Sequence, residues 1–318
     1  MAIPIGLPTR AGLLTAGLSL TFVLCWSSGF IGAKFGGAEA SVFTLLLWRF
    51  LPLGLIVAPL LLAAARPAGR SGPGELLRQA VVGLLSQSGY VLTVYAAISL
   101  GVSTGTTALV DGLQPLVVAA LAGPILGVTV GRRQWLGLLV GLTGVAVVTV
   151  ADAADPGTTA PLGAYLVPFA GMLCLVAATF VDRRAERPMP PPRALAVHLI
   201  TSAVVFALLA VLTGSVVPPA TTGFWLAVGW LILLPTFGGY ALYWLLLRRI
   251  GVTRVNALLF LVPPVTTGWG VALYGEPFTF FTGAGLLLTL VATALVNWRS
   301  RLATESAPGA PDGIRTHT

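Results

Sequence analysis

Ten runs of roughly twenty apolar residues follow one another along this chain, at about 14–36, 42–64, 77–98, 103–126, 133–151, 160–181, 194–213, 224–247, 255–274 and 279–298. Coiled as an α-helix, a run of that length matches the ~30 Å hydrocarbon thickness of a bilayer. Long unbroken runs, rather than ten-residue alternating segments, predict helices and not a barrel. Charged residues are only 9% of the 318, against about 25% in soluble domains. Such a chain has too little polar surface to fold as a water-soluble globule. The first run is too long for a signal peptide and carries Lys34 near its end in place of a small-residue cleavage site, so it is expected to be retained. The expected fold class is an all-α integral membrane protein with ten transmembrane helices.

The charges set the direction of each helix. With the N-terminus in the cytoplasm, the inside segments hold Arg10; Arg66, Arg70 and Arg78; Arg132 and Arg133; Arg183, Arg184, Arg187 and Arg193; Arg248, Arg249 and Arg254; and Arg299, Arg301 and Arg315, which makes 16 of the 18 Lys and Arg. The outside loops hold none and carry Glu39, Asp152, Asp155 and Glu276 instead. This is the positive-inside pattern, and it predicts both termini in the cytoplasm. The net charge of +8 is then a topology signal, and no nucleic-acid partner is expected. The layout reads as a cytoplasmic N-terminus (1–13), five spans (14–151), five more (160–298), and a disordered cytoplasmic tail (299–318).

The two sets of five are related. SLGVSTGTTALVDGLQPLVVAALAG (99–123) and RIGVTRVNALLFLVPPVTTGWGVAL (249–273) share Gly-Val-Ser/Thr, an Ala-Leu pair and a proline well inside the span. QWLGLLVGLTGVAVV (134–148) resembles FFTGAGLLLTLVATALV (280–296), and LCWSSGF (24–30) faintly echoes LCLVAATF (173–180). Five is odd, so the repeats must be inverted, and the flanking charges differ accordingly: Arg132 and Arg133 precede the fifth span, Glu276 the tenth. Inverted repeats with proline-interrupted helices are the pattern of secondary transporters, whose solute site lies between the halves. Pro115, Pro263 and Pro264 are the candidate helix breaks; the alternative is that they merely kink packed helices.

CWSSGFIGAKFG (25–36), LWRFLPLGLI (47–56), GVSTGTTALVDGLQPLVVAAL (101–121) and VALYGEPFTFFTGAGLLL (271–288) together resemble a bacterial EamA-type member of the drug/metabolite transporter superfamily, over about residues 14–298. The resemblance implies two inverted five-helix repeats around a central cavity, and alternating-access movement of a small organic solute (metabolite, amino acid or drug-like compound), often as efflux. It implies a multi-pass protein of the bacterial inner membrane. The chain departs from the pattern at Val130, which stands where the second repeat has Glu276, and at Asp111, where an apolar or small residue is expected.

Two charges lie within spans at equal depth. Arg49 is about seven residues into the second span and Asp111 about eight into the fourth, each roughly 10–12 Å below the outer edge. Intramembrane charges are costly and are tolerated when paired or facing a water-filled cavity. Equal depth makes an Arg49–Asp111 contact geometrically possible. With Lys34 and Glu276 in the same half, the four form a candidate polar cluster that binds solute, closes the outer gate, or only fixes helix packing. Asp111 is the candidate for proton coupling, since low dielectric favours the neutral carboxyl. Gln114 either contacts solute or satisfies the carbonyl freed by Pro115. Trp26, Gln87, Tyr90, Tyr95, Tyr240, Trp244 and Asn256 are candidate cavity walls, although the aromatic ones also suit lipid-facing anchors. Trp225 and Trp298 read as anchors, and Gly137, Gly141 and Gly144 as a stripe for close helix contact.

Cys25 and Cys174 lie mid-span and are expected as free packing thiols. The two histidines form no metal-binding cluster, and neither metal nor cofactor is expected. The rival classes are a membrane-embedded enzyme acting on a lipid-linked substrate, which calls for interfacial acids holding a metal, and a channel, which calls for a polar filter. The expected partners are a small-molecule solute, the lipid bilayer and, in the coupled case, protons; the oligomeric state is open.

Overall fold

The computed structural model describes residues 10–63, 72–127, 131–185 and 189–305. The helices are α1 (Arg10–Gly37), α2 (Val42–Ala63), α3 (Pro73–Ser99), α4 (Thr104–Ile125), α5 (Arg132–Ala153), α6 (Leu162–Arg183), α7 (Pro191–Leu212), α8 (Thr222–Gly251), α9 (Arg254–Tyr274) and α10 (Phe280–Glu305). Among the described residues nine are long and apolar enough to cross a membrane, and α10 contributes the apolar stretch Phe280–Leu295. The expected tail is helical as far as Glu305, because Leu302, Ala303 and Glu305 are good helix formers. Arg66, Arg70, Val130, Arg187 and Arg315 lie outside the described residues, as do the side chains of Arg10, Trp298, Arg299 and Arg301.

Helix starts and stops follow local chemistry. The Ser103 side chain accepts a hydrogen bond from the Thr106 backbone at the start of α4, and that of Thr221 from Phe224 at the start of α8, satisfying donors the first turn leaves free. α4 and α9 both end on a left-handed glycine, Gly127 (φ 70°) and Gly275 (φ 63°), a stop that glycine adopts without steric cost. The helices then pair by repeat symmetry. α2 packs on α7, α5 on α10 and α4 on α9; across the repeats α1 packs on α8 and α3 on α6. Phe22, Phe50, Phe206 and Phe224 are fully buried in the main core, with Phe50 of α2 5.2 Å from Phe206 of α7 between ring centroids. Two inverted five-helix repeats account for this pairing. Arg132, Arg183, Arg248, Arg254 and the other described basic connectors gather at one end of the bundle, the basic face. Glu39, Asp152, Asp155 and Glu276 gather at the other, the acidic face.

Four helices depart from α geometry where they reach the centre, and they do so in matched pairs. α3 contains a π turn at Leu84–Gly89, and α8 contains one at Ile232–Gly239; such turns insert a residue and re-aim the side chains that follow. Within the second, Pro235 has no N–H for the Leu231 carbonyl. The Thr236 hydroxyl donates to that carbonyl instead, at 3.0 Å. α4 and α9 narrow to an i to i+3 turn just before a proline: Leu113 N donates to the Val110 carbonyl (3.1 Å) and Leu261 N to the Leu258 carbonyl (3.0 Å). Pro115 and Pro263 stand in the first turn of the helix segment that follows.

Candidate functional site

A cavity of about 370 Å³ lies at the level of these four irregular turns, with walls from α1, α2, α3, α4, α6, α7, α8 and α9. The π turns deliver Gln87 and Tyr90 from α3, and Pro235 and Tyr240 from α8. The proline turns deliver Asp111, Gln114 and Pro115 from α4, and Phe260 and Pro263 from α9. Pro115 leaves the Asp111 backbone carbonyl without its i+4 donor, so the break adds polarity to the wall it interrupts. The Gln87 side-chain amide donates to the Tyr240 hydroxyl across the two repeats. Trp26 of α1 closes the aromatic side, its ring 6.0 Å from that of Tyr240 in an edge-on arrangement.

Arg49 and Asp111 both line this cavity, and they do not pair. Arg49 donates to the Tyr95 hydroxyl (2.5 Å) and to Thr236 Oγ1 (3.3 Å), and its guanidinium lies over the rings of Phe50 (5.0 Å) and Tyr95 (5.6 Å). Its Nε has no partner. Asp111 Oδ2 accepts from the Tyr90 hydroxyl at 2.8 Å, while Oδ1 has no partner. Tyr90 and Tyr95 stand five residues apart on α3, about 7.5 Å along the axis. Two tyrosines on one helix therefore hold Arg49 and Asp111 apart in one cavity, neither with a counter-ion among the described residues.

Of the sequence candidates, Trp26, Arg49, Gln87, Tyr90, Tyr95, Asp111, Gln114, Tyr240, Pro115 and Pro263 line the cavity. The possible Arg49–Asp111 contact is not formed, because Arg49 turns to Tyr95 and Asp111 to Tyr90, five residues away on α3. The four-charge cluster is corrected too. Lys34 and Glu276 pair with one another at 2.6 Å, at the acidic face and away from the cavity wall. Trp244 stands edge-on to Tyr243 (5.7 Å, 87°); Tyr243, not Trp244, takes the contact with Trp26. Asn256 is exposed, because Gly251 (φ 79°, ψ 164°) breaks the chain between α8 and α9 and re-aims the segment after it. Pro264, one residue past the turn, does not line the cavity. Gln114 donates to Thr179 Oγ1 on α6 (3.2 Å) and so fastens the break to the neighbouring helix rather than capping the freed carbonyl.

Sequence reasoning missed Phe30, Pro235, Phe260 and His198 as wall residues. His198 Nε2 is 2.8 Å from Gln79 Oε1, and the Gln79 amide donates to Asp182 Oδ1 at 2.9 Å. A histidine inside a span was the available signal. A second was the Gly-Tyr-x-Leu repeat, Gly89-Tyr90 and Gly239-Tyr240, at the same spacing that separates Gly101 from Gly251. Among the described residues no three His, Cys, Asp or Glu lie together as a metal site. Cys25 and Cys174 are free thiols.

Residues 13–150 and 162–298 each match the model of the EamA-like transporter family. The chain belongs to this family. This EamA-like protein is 25% identical over 286 residues to the uncharacterized transporter YyaM of Bacillus subtilis, covering 86% of this chain and 92% of that one. It is 25% identical over 284 residues to a Salmonella typhimurium protein named as a probable amino-acid metabolite efflux pump (86% and 91% covered). It is 23% identical over 282 residues to the uncharacterized inner membrane transporter YedA of Escherichia coli K12 (88% and 89%). A crystal structure at 22% identity superposes with a TM-score of 0.60 over 92% of this chain and 99% of the other, and so shares its fold. Membership makes the EamA-like protein a multi-pass membrane transporter.

Proposed function

We propose that this EamA-like protein is a secondary active transporter that exports a small zwitterionic solute of the α-amino-acid type across the cytoplasmic membrane by alternating access. The observation that carries the reading is the separation of Arg49 and Asp111 on one cavity wall, each without a counter-ion among the described residues. Uncompensated charges within a membrane are costly. A solute with an ammonium and a carboxylate a few ångströms apart satisfies both at once, its ammonium on Asp111 and its carboxylate on Arg49. Trp26, Tyr90, Tyr240 and Phe260 then offer aromatic surface to an apolar side chain. The name of the Salmonella relative, an amino-acid metabolite efflux pump, agrees with solute class and direction. Asp111 Oδ1 is in addition the place where a coupling proton exchanges; an imposed pH gradient is expected to accelerate flux, and indifference to it removes coupling while leaving the site.

The test is a panel of thermal shifts on the purified protein, followed by proteoliposome counterflow. Free amino acids with apolar or aromatic side chains should stabilise it. Their N-acetyl derivatives, lacking the ammonium, and their amides, lacking the carboxylate, should not; equal stabilisation by either derivative refutes the zwitterion reading. Export also needs the basic face in the cytoplasm. Reporter fusions at the α4–α5, α6–α7 and α8–α9 connectors should read cytoplasmic, and those at the α5–α6 and α9–α10 connectors non-cytoplasmic. The reverse pattern would turn the transporter round.

A further inference from the structure

We infer that Glu276, Lys34 and the first residue of α4 form a latch that holds the acidic face shut, and that the latch exists on that face alone, so that the empty protein rests open toward the basic face. Glu276 is 8% exposed. Its carboxylate takes an ion pair from Lys34 of α1 (2.6 Å), a bifurcated hydrogen bond from the Thr104 backbone N–H (3.0 and 3.1 Å) and one hydrogen bond from the Thr104 hydroxyl (2.8 Å). A carboxylate at a helix N-terminus gains from the free N–H groups and the helix dipole together. Glu276 belongs to the second repeat, Lys34 and Thr104 to the first, so this one side chain ties the halves together. Gly270 makes room for it, since a Cβ there would strike the Glu276 carboxylate and stand 2.6 Å from the Thr104 hydroxyl. Tyr274 reinforces the strap: its hydroxyl donates to the Ile31 carbonyl (3.2 Å), and Lys34 lies 4.9 Å over its ring.

Although Arg78 and Gln79 of α3 bond Asp182 of α6 at the basic face, the helix pairs that flank the cavity are closed on the acidic face only. Thr104–Asp111 of α4 packs on Val262–Tyr274 of α9, and α1 packs on Tyr90–Ser99 of α3. The symmetry-related pairs at the basic face, Gln114–Leu126 against the start of α9 and α6 against α8, make no more than marginal contact among the described residues. The sequence gives those positions no latch. Arg183 follows Cys174 by the spacing at which Lys34 follows Cys25, and Arg254 stands after Gly251 as Thr104 does after Gly101. The residues after Gly127 read Val-Thr-Val-Gly, where Glu276 follows Gly275. Closing the basic face in the same way brings Arg183 and Arg254 together with no counterpart of Glu276, since the neighbouring Asp182 is already paired with Arg78 of α3 at 3.1 Å.

Labelling of the full chain in oriented vesicles with a membrane-impermeant maleimide tests this without any solute, so its failure and that of the zwitterion reading are separable. On a Cys25→Ala, Cys174→Ala background, Ala108→Cys reports access from the acidic face and Leu175→Cys access from the basic face. Adding Glu276→Gln, which keeps the shape of the side chain, or Lys34→Gln is expected to raise Ala108→Cys labelling about tenfold or more and to lower Leu175→Cys labelling. Unchanged Ala108→Cys labelling in both variants overturns the latch. So does a rise at the acidic face without the fall at the basic one, which is what a merely loosened bundle would give.

Discussion

Asp111→Asn and Arg49→Gln are each expected to reduce solute affinity by a factor of about thirty to several thousand. Removing one partner of a buried, hydrogen-bonded charge pair costs about 2–5 kcal/mol, and each 1.4 kcal/mol is about tenfold. Asp111→Asn keeps size and a polar end, so Tyr90 retains a neighbour to bond; Arg49→Gln is shorter and gives up the Tyr95 contact but leaves no buried charge unpaired, so the fold should survive. The loss should appear in counterflow and in solute-induced thermal shift, with the melting temperature of the empty protein little changed. The double exchange Arg49→Asp, Asp111→Arg is the sharper arm. It preserves net charge but sets each charge against the wrong tyrosine and the wrong end of the solute. An exchanged protein that folds and transports at the wild-type rate would remove both residues from solute contact.

Gly285→Val is expected to destabilise the bundle by about 1–3 kcal/mol, the usual cost of forcing methylenes into a filled contact. α5 and α10 approach so closely that a Cβ at Gly285 would stand 2.5 Å from the Gly144 carbonyl oxygen, and one at Gly144 2.8 Å from the Gly285 carbonyl oxygen. Both obstacles are backbone, which cannot step aside as a flexible side chain can. In lipid, where helices gain little from burying apolar surface against each other, such close packing carries much of the association. Melting of purified Gly285→Val should therefore begin at a distinctly lower temperature. Gly37→Ala, with open space around its Cβ, is the matched control and should melt like the wild type. Equal melting of all three would mean that α5 and α10 are not held by this contact.

The legible part of the fold was the part a bilayer reads locally. Run length and apolar content set the ten helices, and arginine placement divided the connectors into two faces. The repeat and its prolines marked where α4 and α9 would break, and the Gly137/Gly141/Gly144 stripe did find its neighbours, Gly141 against Leu116 of α4 and Gly144 against α10. Several cavity residues were legible for the same reason: Trp26, Gln87, Tyr90 and Tyr240 are polar-edged side chains at mid-span, where lipid offers them nothing. Less legible were the residues whose aim depends on a non-α turn. Two π turns shift the face that follows them, and no spacing rule for a regular helix carries across that shift.

Sequence alone determined that this chain crosses a membrane ten times as two opposed copies of one five-helix unit, because length, hydropathy and charge bias are properties of each segment taken singly. Only the tertiary structure decided what each charge meets. Depth along a helix follows from residue count, but rotation about its axis is set by neighbours packed from elsewhere in the chain. That rotation gives Arg49 to Tyr95, Asp111 to Tyr90 and Lys34 to Glu276, dividing one expected cluster of four charges into two on a cavity wall and an ion pair at the acidic face.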